Sequence, residues 1–186
     1  MLEKYTKDSS GFSFMELMVV IAMIGILSAV ALPGILRALP EQRVKNAARN
    51  LYADMQRARM LAVKNNRTVS VRFNGGGYYI DADDDDSFNP DTPDELRRNL
   101  SEDGDVSFGS GKAQKDWEDT PNPLPSSPTD DTMFSSTGEV TFDSGSTTRS
   151  VILLQNQNQD VCYAVITTSF GAVQIRRFNG SDWDKL

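Results

Sequence analysis

Residues 17–32 are apolar apart from Gly25 and Ser28, and the run extends through Phe12 and Phe14 before it and Ile35 and Leu36 after it. A helix over residues 12–39 would be about 42 Å long at 1.5 Å per residue, enough to cross the hydrocarbon core of a bilayer. Pro33-Gly34 and Pro40 interrupt this helical pattern. Kinks or local unwinding are expected there, because proline removes an intrahelical hydrogen bond and clashes with the preceding turn. After Pro40 the pattern changes. Val44, Ala47, Ala48, Leu51, Met55, Ala58, Leu61 and Ala62 recur at three- and four-residue spacing, while Arg43, Lys45, Arg49, Arg57 and Lys64 take the other face. This predicts an amphipathic stem helix that stops at Asn65-Asn66. Its apolar stripe is read as a core-facing layer for a β domain.

From Arg67 onward the signals are those of strands. Residues 68–73 and 78–81 flank Asn74-Gly75-Gly76-Gly77, which reads as a hairpin. A polar, Pro- and Asp-rich region follows from 83 to about 131, with short strands expected near 97–100 and 106–108 and with Trp117 pinning it to the body. The tail gives cleaner strands at 139–142, 150–155, 161–168 and 172–178, and the short turns between the last three predict an antiparallel meander. The expected fold is α+β: a long N-terminal transmembrane and stem helix packed on an antiparallel, sandwich-like β domain. The parts are an apolar helix over 12–39, a stem over 40–66 and a β domain over 67–186.

Composition narrows the function classes. The chain has 186 residues, no histidine, one cysteine and a formal net charge of −7. The absence of histidine removes Ser-His-Asp and Cys-His catalysis and the commonest zinc ligand. Cys162 lies in the apolar run Val161-Cys-Tyr-Ala-Val-Ile166, which reads as a small core hydrophobe. No catalytic constellation stands out and no cofactor is expected. An enzyme reading would need a secreted hydrolase using two carboxylates.

Charge is unevenly placed. Residues 41–72 hold eight basic and two acidic residues, a net of +6, and residues 81–105 hold eleven acidic and two basic, a net of −9. A basic stem and an acidic loop allow head-to-stem contacts between stacked subunits, or two solvated faces with no partner. Asp81, Asp83 and Asp85 match the first alternating positions of a calcium-binding loop. Asp86 stands where that loop needs glycine, and Thr92 where it needs a bidentate acid. The default is therefore a solvated loop with no metal, and an irregular calcium site is the alternative.

Three readings compete for the N-terminal segment. Ala29-Val30-Ala31 offers a signal-peptide cleavage pattern. A plain membrane anchor is the second. The third takes account of Glu16, a carboxylate at the head of an apolar run, where burial in lipid costs a few kcal/mol. Neither a signal peptide nor an anchor gains from it.

Gly11-Phe12-Ser13-Phe14-Met15-Glu16-Leu17 resembles the processing motif of type IV prepilins and type II secretion pseudopilins. The stem running directly into a strand (Arg57-Ala-Arg-Met-Leu-Ala62, then Asn66-Arg-Thr-Val-Ser-Val-Arg-Phe73) is similar to the GspH/FimT family. So are Phe134-Ser-Ser-Thr-Gly-Glu-Val-Thr-Phe142 and Gly171-Ala-Val-Gln-Ile175. The resemblance implies a leader over residues 1–11, cleavage by a prepilin peptidase between Gly11 and Phe12, and N-methylation of Phe12. Lys4 and Lys7 suit a leader kept on the cytoplasmic side, although Glu3 and Asp8 balance them. In a filament the Glu16 carboxylate would neutralise the Phe12 amine of a neighbouring subunit, since both charges are costly alone in an apolar bundle and tolerable as a pair. A Glu16 that snorkels to the headgroups is the alternative.

The implied function is that of a minor pseudopilin of the type II secretion system, near the tip of the periplasmic pseudopilus. A FimT-like minor pilin, acting in assembly initiation or DNA uptake, is the runner-up. The implied partners are other minor pseudopilins, the major pseudopilin, the prepilin peptidase and, before assembly, the inner membrane, with the C-terminal domain in the periplasm. Nucleic acid is not expected. The C-terminal cations Arg176, Arg177 and Lys185 are diluted by Asp182 and Asp184, and a stacking aromatic such as Trp183 does not replace a positive groove.

Cleavage at this motif has a direct readout. N-terminal mass spectrometry of protein from its native host is expected to show a mature chain beginning at methylated Phe12. A start at Leu32, after Ala31, would make the segment a signal peptide.

Overall fold

The computed structural model describes residues 11–102, 104, 106–113, 124, 125, 128, 131–142 and 149–186, apart from the side chains of residues 33, 36 and 37. It divides into two compact units, Met1–Leu39 and Pro40–Leu186. One helix, α1 (Phe14–Asn65), runs through both. The unwinding expected at Pro33-Gly34 and Pro40 is absent, and the two predicted helices are a single element of 52 residues. The physical reason is that a proline deletes one hydrogen bond while the turns on either side remain bonded. The helix stops as predicted. Asn66 takes a positive φ of 50°. The Arg67 N–H then donates to the Ala62 carbonyl at 3.2 Å and the Asn66 N–H to the Val63 carbonyl at 3.4 Å, a Schellman closure.

In the first unit, Phe14–Leu32 is long and apolar enough to cross a membrane, and none of it is buried inside the protein. Ile21, Met23, Ile24, Ile26, Leu27 and Val30 are all exposed. Apolar surface of this extent is stable only against lipid or other subunits.

In the second unit α1 packs on two five-stranded antiparallel sheets. The first has the order β3 (Leu96–Asn99), β2 (Gly77–Asp81), β1 (Val69–Asn74), β5 (Thr132–Phe134), β6 (Val140–Phe142). The second has the order β10 (Trp183–Lys185), β9 (Val173–Phe178), β8 (Cys162–Thr168), β7 (Arg149–Asn156), β4 (Val106–Phe108). The predicted hairpin is β1–β2, closed by Gly75-Gly76, with Asn74 opposite Gly77. Gly77 is required: a Cβ there would lie 2.0 Å from the Arg98 carbonyl oxygen of β3. The predicted meander is β7–β8–β9. The strands β5 and β10 are additional to those predicted. Each has three residues. Trp117, expected to pin the loop, lies outside the described residues.

The predicted stripe of α1 forms the centre of the main core. Val44, Ala47, Ala48, Leu51, Met55, Ala58, Leu61 and Ala62 are all buried, against Val69, Val71, Tyr78, Ile80 and Phe134 of the first sheet and Ile152, Leu154, Tyr163 and Val165 of the second. Fully burying one such Leu, Ile or Val side chain contributes about 1.5–3 kcal/mol. The strands β7 and β8 are apolar on both faces for a reason. Ile152 pairs with Val165 and Leu154 with Tyr163 toward α1, whereas Leu153 pairs with Ala164 and Val151 with Ile166 on the other face. There a second cluster forms with Ala113, Cys162 and Trp183.

The second unit thus carries its own core. A chain lacking residues 1–39 is expected to be a soluble, largely β monomer with a single cooperative thermal transition by circular dichroism. Aggregation or gradual melting of that chain would contradict the boundary.

Candidate functional site

The processing motif sits at the head of α1. Gly11 and Phe12 lie in non-helical backbone before the helix, and Phe12 is 83% exposed. Ser13 precedes the first helical residue, and its carbonyl accepts from the Leu17 N–H at 3.1 Å. Glu16 falls in the first turn. A carboxylate there faces the positive end of the helix dipole. Ser-x-x-Glu before an apolar run is also the sequence signature of a helix start. The Gly-Phe junction thus lies in non-helical backbone directly before the apolar stretch of α1.

The acidic loop begins where β2 ends. Asp81 is fully buried. Its carboxylate accepts from Arg72 Nε at 2.7 Å and from the backbone N–H groups of Asp84, Asp85 and Asp86 at 2.8, 3.3 and 3.1 Å. Arg72 also pairs with Asp84 at 3.5 Å, with Asp131 at 3.4 Å and with Asp86. Burial works against the Arg72 charge, but the hydrogen bond and charge of Asp81, with Asp86 and Asp131, outweigh it and raise its pKa. Tyr79, opposite Arg72 on β2, has its pKa raised chiefly by burial.

Among the described residues, this geometry keeps two of the three candidate calcium ligands, Asp81 and Asp83, together and sets Glu95 beside them in place of Asp85. The carboxylates that approach within 4.8 Å of one another are those of Asp81, Asp83 and Glu95. Asp85 is not in that group. It turns to Ser87, accepting from its N–H at 2.9 Å and its hydroxyl at 2.8 Å, and these bonds lower its pKa. Glu95 accepts from the Asn89 N–H at 2.6 Å, and its pKa is raised first by burial and further by Asp83 and Asp81. Spacing in sequence could not show that Asp81 points at an arginine.

Part of the charge asymmetry is settled inside the chain. Arg57 of the stem meets Asp94 at 3.6 Å. Asp54, on the buried face of α1, accepts from the Tyr78 hydroxyl at 2.8 Å and Arg98 Nε at 3.1 Å. Asp54 was not among the predicted core positions, because its partners lie 24 and 44 residues away. Arg177 pairs with Glu41 at 2.6 Å. Trp183 is buried against Phe178 rather than available for stacking. Cys162 is 1% exposed, and burial pushes its thiol up to about 12, so it is an inert core residue as predicted.

The helix is bare along its apolar N-terminal part and buried on one face of its C-terminal part, which is consistent with a single-pass membrane anchor leading into a globular unit. With a Gly-Phe junction at its head, this is the build of the type IV pilin-like class. Residues 6–32 match the prokaryotic N-terminal methylation motif, and residues 47–171 match the family described as type II transport protein GspH. The second match covers 125 of 186 residues, about two-thirds of the sequence, and the chain belongs to the GspH family. It is a pseudopilin-like protein of type II secretion, from a structural rather than an enzymatic family. No curated protein and no solved structure is a significant match to the chain.

Proposed function

We propose that this protein is a minor pseudopilin of the type II secretion system that joins the periplasmic pseudopilus near its tip and takes part in protein export. The observation that carries this reading is the GspH match over the globular unit, behind a methylation motif at the head of a bare apolar helix. The sequence of events is the one that the family resemblance implies. The apolar helix holds the precursor in the inner membrane with the second unit in the periplasm. Prepilin peptidase cuts between Gly11 and Phe12, and Phe12 is methylated. The new amine and Glu16 then form the charge pair that admits only the register in which both are neutralised. Pro33, Gly34 and Pro40 give the helix places to bend when it leaves the bilayer for the filament.

The runner-up, a FimT-like pilin active in DNA uptake, needs a positive surface open to phosphates. Pairing of Arg177 with Glu41 and burial of Trp183 both count against it.

Two measurements test this reading. Glu16→Ala is expected to insert and be cleaved normally but to be incorporated with its partner pilins at least about tenfold less well, a loss on the order of 1.4 kcal/mol; normal co-purification would remove the neutralisation role. In a gel-shift titration the second unit is expected not to bind duplex DNA at physiological salt. Micromolar, salt-sensitive binding that disappears in an Arg176→Ala, Arg177→Ala double variant would move the protein to the DNA-uptake class.

A further inference from the structure

The loop after β2 carries carboxylates at positions 81, 83, 84, 85 and 86, and Asp131 approaches it from the residue before β5. Like charges this dense repel one another by about 1 kcal/mol per close pair even in water. A loop of this composition is ordinarily solvated and mobile, or gathered round a divalent cation by its oxygen ligands. In this chain a third source of positive charge is present, an arginine side chain. Arg72 reaches it from β1, a strand bonded on one side to β2 and on the other to β5. Each of the three guanidinium nitrogens faces a carboxylate: Nε that of Asp81 at 2.7 Å, Nη1 that of Asp131 at 3.4 Å, and Nη2 those of Asp84 at 3.5 Å and Asp86. The Arg72 side chain is only 19% exposed.

The same centre fixes the backbone. Asp81 gathers three successive loop N–H groups, Asp84 accepts from the Ser70 hydroxyl at 3.1 Å, and Asp131 accepts from the Phe73 N–H at 2.9 Å. The segments that lead out of β2 and into β5 therefore converge on one cation. A planar fork with donors in three directions can serve them together, as a lysine ammonium cannot.

We propose that Arg72 is the resident counter-cation of the acidic loop, standing where a loop of this composition would otherwise take a divalent ion, and that it makes the fold of the loop independent of calcium. The exposed carboxylate of Asp85 is then displayed on a backbone whose shape does not follow the calcium level around the protein.

The test uses the full chain in detergent, with thermal unfolding followed by circular dichroism in EDTA and in calcium at about 1 mM, the range of weak extracellular sites. The native protein is expected to melt at the same temperature in both. Arg72→Met is expected to lower the Tm in EDTA by roughly 5–10 °C, with calcium, but not sodium chloride of equal ionic strength, restoring at least half of the loss. If Arg72→Met does not fold, the variant that adds Asp84→Asn and Asp86→Asn is expected to fold, because it removes charge that the arginine balances. Calcium raising the Tm of the native protein would overturn the proposal. So would a loss in Arg72→Met that calcium does not restore, or a triple variant no better folded than Arg72→Met.

Discussion

Both sheets depend on one face of one helix. Val44, Ala47, Ala48, Leu51, Met55, Ala58, Leu61 and Ala62 form a stripe that the first sheet meets through Val71, Ile80 and Phe134 and the second through Ile152, Leu154 and Val165. Four of its eight positions are alanine, so strands can approach the helix closely there. Without α1 each sheet would present an apolar face to water. The stem is therefore the middle of the globular unit rather than a stalk beneath it. Because the same helix continues into the bare apolar segment, one hydrogen-bonded element serves both the core and the surface that needs partners.

Electrostatics in the second unit follow from how charges meet across the fold. The positive stem and the negative loop look like complementary surfaces for two subunits, yet several of their charges meet within one chain. Arg57 reaches Asp94, Asp54 holds Arg98, and Arg72 gathers Asp81, Asp84, Asp86 and Asp131. What remains for a neighbour is smaller than the net charges of the segments imply. Exposed carboxylates such as Asp83 and Asp85 remain on the loop, and Arg49 and Lys64 on the stem. Those residual charges, and not the whole segments, are the surface available for contact.

Among the described residues of the second unit, the thiol and the most buried carboxylates are taken up by the fold. Its one thiol is buried and held protonated, and its most buried carboxylates, Asp54 and Asp81, are engaged by hydrogen-bond donors. This accords with a structural family whose work is done by surfaces. The Gly11-Phe12 junction lies in exposed, non-helical backbone before α1.

The sequence by itself determined the features that depend on neighbours along the chain. Helical periodicity marked the stripe, Asn65-Asn66 the stop, Asn74-Gly75-Gly76-Gly77 the hairpin, apolar runs between short turns the long strands β7 to β9, and the Gly11 to Leu17 motif the class of protein. Each of these is a local pattern, carried by spacings of one to four residues. Tertiary structure alone decided what depends on residues far apart. It closed α1 across Pro33 and Pro40, added the short strands β5 and β10, and split β7 and β8 between two apolar clusters. It also made Asp81 the partner of Arg72, nine residues away, and brought in Asp131 from 59 residues away. An aspartate run in sequence has the same pattern whether its counter-charge is an ion, water or an arginine on the next strand. Only the register of β1 against β2 and β5 selects among them.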